Sequence, residues 1–106
     1  MKSLCKWAPM ILALAALPVA AGDVAAGKAK SATCAACHGA DGNSPTPDFP
    51  KLAGQHQDYL LRALLDYKIG NRGNPIMQGQ VANLSKADMA DLAAYFSSRK
   101  GLYTVR

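Results

Sequence analysis

Two cysteines and a histidine stand together once in this chain, in Cys34-Ala35-Ala36-Cys37-His38-Gly39. Those residue types at that spacing suit four kinds of chemistry. A structural zinc site takes four ligands, and from residue 22 onward the chain adds only the distant His56 to the three of the motif, with no second Cys pair. A redox dithiol sits at the start of a helix, where the helix N-terminus lowers the thiol pKa; here the motif closes an alanine-rich run. A plain disulfide leaves His38 without a purpose. Thioether attachment of haem uses all three residues. Thiols one helical turn apart reach two neighbouring vinyl groups on one porphyrin edge, and the next side chain turns its imidazole onto the iron.

Helices are expected to position this chemistry. The first covers 24–37, with Asp23 as its N-cap and the motif at its end. A second is expected over 58–69, where Leu60, Leu61, Leu64 and Leu65 share a face and Gly70 supplies a stop. The third starts from Ser85, with Asp88 placed for a capping box and Leu84 and Met89 spaced as a hydrophobic staple. Its apolar face of Leu92, Ala93, Tyr95 and Phe96 runs out near Arg99. Between helices come turn residues: Gly39 to Asn43, then Pro45, Pro47 and Pro50, and later Gly70 to Pro75. No alternating β-branched run suggests a sheet, so the fold class is all-α. Long loops in so small a domain point to a ligand that they wrap.

Residues 1–21 read as an address. Lys2 and Lys6 precede an apolar stretch from Trp7 to Leu17, and Pro18-Val19-Ala20-Ala21 ends in small residues suited to signal peptidase. Cleavage is expected after Ala21, removing Cys5 with the leader; the uncharged run falls short of the ~20 residues of a spanning helix. Residues 22–106 then form one domain, small enough to need a staple beyond its own core. It carries ten Lys and Arg against seven Asp and no Glu, a formal +3. The basic residues are scattered and lack interleaved aromatics, so no nucleic-acid partner is expected. A mild positive field suits an acidic protein surface instead.

GDVAAGKAK, CAACHGADGNS, FPKLAGQ, the Tyr59-Leu60 helix, IGNRGNPIM and LSKADMADLAAYFSS follow one another in order. As a set they resemble small class I cytochromes c, closest to single-domain relatives of the c4 and c553 type. The c4 proteins usually repeat the unit and bind two haems; this sequence holds one unit. The resemblance implies a small cytochrome c fold, with three main helices and long loops around one covalently attached haem c. It assigns Cys34 and Cys37 to the thioethers, His38 to the proximal iron position and Met77 to the distal one. Met77 stands outside the three expected helices, in the loop after Asn74-Pro75-Ile76. The carbonyl of Pro50 is implied as acceptor for the other ring N–H of His38. Arg72, with Gln55, is implied near a haem propionate, and Gly27 where the last helix crosses at Ala94 and Tyr95. His56 is expected to face water.

What this implies is a soluble periplasmic monohaem electron carrier, not an enzyme. Its partners would be transient redox proteins: a cytochrome bc1-type donor, and a terminal oxidase or periplasmic reductase as acceptor. Contact with a membrane would come only through those complexes. A haem enzyme or gas sensor with a displaceable sixth ligand, and a dedicated electron-entry subunit of a larger complex, are the alternatives.

Overall fold

A computed structural model describes Pro9 and residues 22–103, and the expected leader, 1–21, otherwise lies outside the described residues. Among the described residues five helices follow in order: α1 Val24–Lys30, α2 Ala32–His38, α3 Gln57–Ile69, α4 Pro75–Val81 and α5 Lys86–Ser98. No strand occurs among the described residues.

The helix expected over 24–37 is two helices. Asp23 caps α1 by accepting from the Ala26 N–H at 2.9 Å. At Ser31 the ladder changes register, because its backbone N–H and its hydroxyl both donate to the Lys28 carbonyl, at 3.2 and 2.8 Å. A serine that bonds the preceding turn competes with the regular ladder, and here it ends α1. Helix α2 starts one residue later with the Ala35 N–H on Ser31 O. The second expected helix is α3, stopped at Gly70 in the left-handed region, φ 85°. The third is α5, and its capping box is complete: Ser85 Oγ accepts from the Asp88 N–H and Asp88 accepts from the Ser85 N–H.

Helix α4 corrects the sequence reading, which put Met77 in a loop. Asn74 and Pro75 are the reason. The Asn74 side chain caps the first turn, and proline at the first helical position costs no hydrogen bond there.

The core lies along α5, which buries Met89, Leu92, Ala93, Ala94, Tyr95 and Phe96. Helix α1 crosses it at Gly27, where a β-carbon would run into the Asp91 carbonyl and come 2.7 Å from Tyr95 Cβ. Tyr95 is therefore the expected crossing partner, whereas Ala94 packs against Gly22. Charge closes the same crossing. Lys30 Nζ reaches Asp88 at 2.8 Å and Asp91 at 2.6 Å, and Asp91 also accepts from the Asp23 N–H at 2.8 Å.

The loop after α2 is lashed to the same helix. Tyr95 donates its hydroxyl to Ala40 O at 2.8 Å, and the Gly54 N–H donates to Phe96 O at 3.0 Å. Beyond α5, the Leu102 N–H returns to Ala53 O at 2.7 Å. Residues 39–54 are thereby fixed over the end of α2.

Candidate functional site

Helix α2, the loop after it, α3, α4 and α5 surround one cavity of about 370 Å³. Helix α2 brings Cys34, Cys37 and His38 to it; the following loop brings Phe49, Pro50 and Leu52. Leu60, Leu64 and Tyr67 line it from α3, Asn74, Ile76 and Met77 at α4, and Leu92, Ala93 and Phe96 from α5. All six site residues read from the sequence, Cys34, Cys37, His38, Pro50, Arg72 and Met77, border this one space. His56 does not line it and is half-buried at the start of α3.

His38 is 6 % exposed, and its Nδ1 lies 2.8 Å from Pro50 O. A carbonyl oxygen only accepts, so Nδ1 carries the proton and donates. Nε2 is left with the lone pair, the state in which an imidazole binds a metal. The ring also meets Phe49 edge-on, with centroids 6.4 Å apart. The Pro50 acceptor fixes the tautomer, while the Phe49 edge and burial fix the ring's orientation.

Cys34 and Cys37 are both free thiols and half-buried. Burial pushes the Cys34 thiol up, against a smaller opposing hydrogen bond with Thr33. That is the reverse of the lowered pKa a redox dithiol uses.

Met77 is half-buried in the first turn of α4. Asn74 Oδ1 accepts from its N–H at 3.1 Å and from the Ile76 N–H at 3.0 Å. Arg72 is exposed; its N–H donates to Asp66 O at 3.1 Å and its guanidinium lies 4.9 Å from the Tyr67 ring centroid. Gln55 lines the cavity, and its Oε1 accepts from the His56 N–H at 2.8 Å. Tyr67 and Asn74 escaped the sequence reading. Both carried a signal: Tyr67 falls three and seven residues after Leu64 and Leu60, on one helical face, and Asn74 precedes a proline.

Among the described residues no three His, Cys, Asp or Glu side chains gather into a metal site. His38 and Met77 offer one nitrogen and one sulfur, so a metal held by both needs its remaining ligands from a group the protein binds. A mainly apolar cavity with two thiols one helical turn apart fits a planar macrocycle that brings them. No helix among the described residues is long and apolar enough to cross a membrane.

Comparison with known proteins gives the same picture. A family model described as Cytochrome c matches residues 24–100. Cytochrome c4 of Pseudomonas aeruginosa is 58 % identical over 91 residues, covering 86 % of this chain and 45 % of that protein. Cytochrome c-554(548) of Halomonas halodenitrificans is 46 % identical, covering 76 % of this chain and 100 % of its own length. The crystal structure of reduced recombinant cytochrome c4 from Pseudomonas stutzeri matches with a TM-score of 0.74 and 51 % identity, over 76 % of this chain and 47 % of that one. The chain thus spans about half the length of the curated c4 relatives it matches.

Proposed function

The chain belongs to the cytochrome c family, close to c4, and on that premise we propose that it carries single electrons on one haem c. Cys34 and Cys37 would hold the haem covalently, and His38 and Met77 would supply the protein's two ligands to its iron. The observation that carries this reading is the single cavity on which the end of a Cys-x-x-Cys-His helix and a thioether from α4 converge.

When bound, the haem supplies an iron that gains and loses one electron. The chain's residues set the conditions. His38 keeps its proton on Nδ1 through Pro50 and presents Nε2 as donor. Met77 offers a soft, neutral thioether, which favours the ferrous form relative to a second histidine. Leu52, Leu92 and Phe96 line the cavity with apolar surface. Arg72, already steadied on Tyr67, supplies a cation for a propionate. An iron held by both His38 and Met77 would leave no open position for a substrate, and the role is a carrier's rather than an enzyme's.

Residues 1–21 act as a signal peptide cleaved after Ala21, delivering residues 22–106 to the periplasm. There the protein exchanges electrons transiently with a cytochrome bc1-type donor and with a terminal oxidase or periplasmic reductase. Visible spectra of the purified native protein, oxidised and reduced, test the carrier reading. A low-spin pair of spectra is expected, with haem that stays on the polypeptide through denaturation and organic extraction. Ready binding of carbon monoxide to the native ferrous protein would instead favour a sensor or enzyme.

A further inference from the structure

Helix α4 is weakly held where it matters. Pro75 and Ile76 are exposed, Ile76 at 62 %, and a β-carbon at Gly70, Gly73 or Gly79 would meet nothing within 4 Å. Its buried anchor, Val81, lies at the far end. The first turn therefore depends on its own hydrogen bonds. Pro75 has no N–H; the Ile76 and Met77 N–H groups donate to Asn74 Oδ1; the Gln78 N–H donates to Asn74 O at 2.9 Å. Every backbone donor of that turn ends on Asn74, Met77's own included.

We infer that Asn74 is a positioning residue for electron transfer, holding the backbone of Met77 so that its thioether stays on the iron. This rests on the reading of Met77 as the distal ligand. Removing the side-chain oxygen orphans two donors at once, one of them on the ligand residue itself. Truncating an asparagine cap shifts the balance between an ordered and a frayed turn by about five-fold. Because α4 has little packing at this end, that shift falls on the Met77 turn rather than being absorbed by the core.

The experiment compares four variants of the haem-loaded protein: Asn74→Ala, Asn74→Ser, Asp23→Ala and Met77→Ala. Asp23 is the matched control, capping α1, another seven-residue helix, through its own side chain. In Asn74→Ala the fraction of ferric protein lacking the long-wavelength sulfur-to-iron band, and the rate of carbon monoxide binding to the ferrous protein, each rise about five-fold. Serine restores an acceptor without adding charge and returns both toward the parent values. Asp23→Ala lowers the unfolding midpoint comparably and leaves band and carbon monoxide rate alone. The inference is overturned if Asn74→Ala matches Asp23→Ala in both optical readouts while Met77→Ala abolishes the band. If Met77→Ala keeps the band, the ligand reading itself fails, and the role of Asn74 fails with it. Should Asn74→Ala yield no folded protein, Asn74→Thr, a weaker cap than serine, must depart further from the parent than Asn74→Ser in both optical readouts, and values no different from the serine variant's overturn the inference.

Discussion

At Gly27 one added methyl group separates two effects of opposite sign. Alanine is the better helix former by about 1 kcal/mol, yet its β-carbon would strike the Asp91 carbonyl and Tyr95 Cβ, a backbone and a stem that cannot swing aside. Overpacking wins. Gly27→Ala is expected to destabilise the protein by ~1–3 kcal/mol, read from denaturant unfolding. Gly79→Ala, in helix α4 with open space around it, is expected to be neutral or stabilising by up to ~1 kcal/mol. At the site, Met77→Ala should erase the sulfur-to-iron band, lower the reduction potential and admit carbon monoxide, whereas His56→Ala should do none of these. Spectra and a potentiometric titration of both variants check this. A silent Met77→Ala together with a lost sixth ligand in His56→Ala would make the protein a bis-histidine carrier.

Among the elements, α1 is the one held chiefly by its crossing with α5. Gly27 permits the approach, and Lys30 with Asp88 and Asp91 fastens it. Hydrogen bonds from Lys30 and from Ser85 hold the Asp88 carboxyl down to about 2 from its usual 3.8, and Asp91 is lowered by Lys30 and by the Asp23 N–H. Both carboxylates raise Lys30 above 10.5. Lowered carboxyls contribute stability above their unfolded value and lose it as pH falls toward 2; a raised lysine contributes below 10.5 and loses it as pH climbs through its folded value. Lys30→Met should therefore be less stable than the parent between about pH 4 and pH 10. The difference should shrink toward either extreme, as urea midpoints across pH would reveal. The capping box at the start of α5 predicts a further loss: Ser85→Ala costs about 1 kcal/mol, at neutral pH, by the same measurement.

Taken whole, the molecule sets its buried core against one side of the cavity. Leu60, Leu92, Ala93 and Phe96 belong to the buried cluster and also line the cavity. In a variant that cannot hold the haem, a space of about 370 Å³ would leave those side chains without partners, and cavities in cores are destabilising in proportion to their volume. Cys34→Ser with Cys37→Ser is accordingly expected to give little folded protein, and a stable haem-free double variant with unchanged helix content by circular dichroism would sink the haem reading. Association with an acidic redox partner should weaken modestly with salt, since a formal +3 on residues 22–106 is spread over scattered residues and the Debye length is ~8 Å at physiological ionic strength. An affinity unchanged from low to high salt would remove the electrostatic contribution.

Much of this was written in short stretches of sequence, because the physics there is local. Asp23, Ser85 with Asp88, and Gly70 act on backbone groups within a few residues, and their spacing alone predicts the ends of α1, α3 and α5. Asn74-Pro75 held the same kind of signal for α4, outweighed by the glycines on either side. The Cys34-x-x-Cys37-His38 motif announces its chemistry for the same reason, its three groups lying within one helical turn. The fold decided what spacing cannot express. Ser31 divides the first helix through a bond that regular helix propensity does not foresee. Lys30 finds Asp88 and Asp91, and Arg72 lies over Tyr67, because of how the helices cross and the loops return. Met77 reaches the cavity of His38 from 39 residues along the chain. Such meetings depend on the angle and depth at which elements pack on α5, and that geometry arises from the burial of all their faces together.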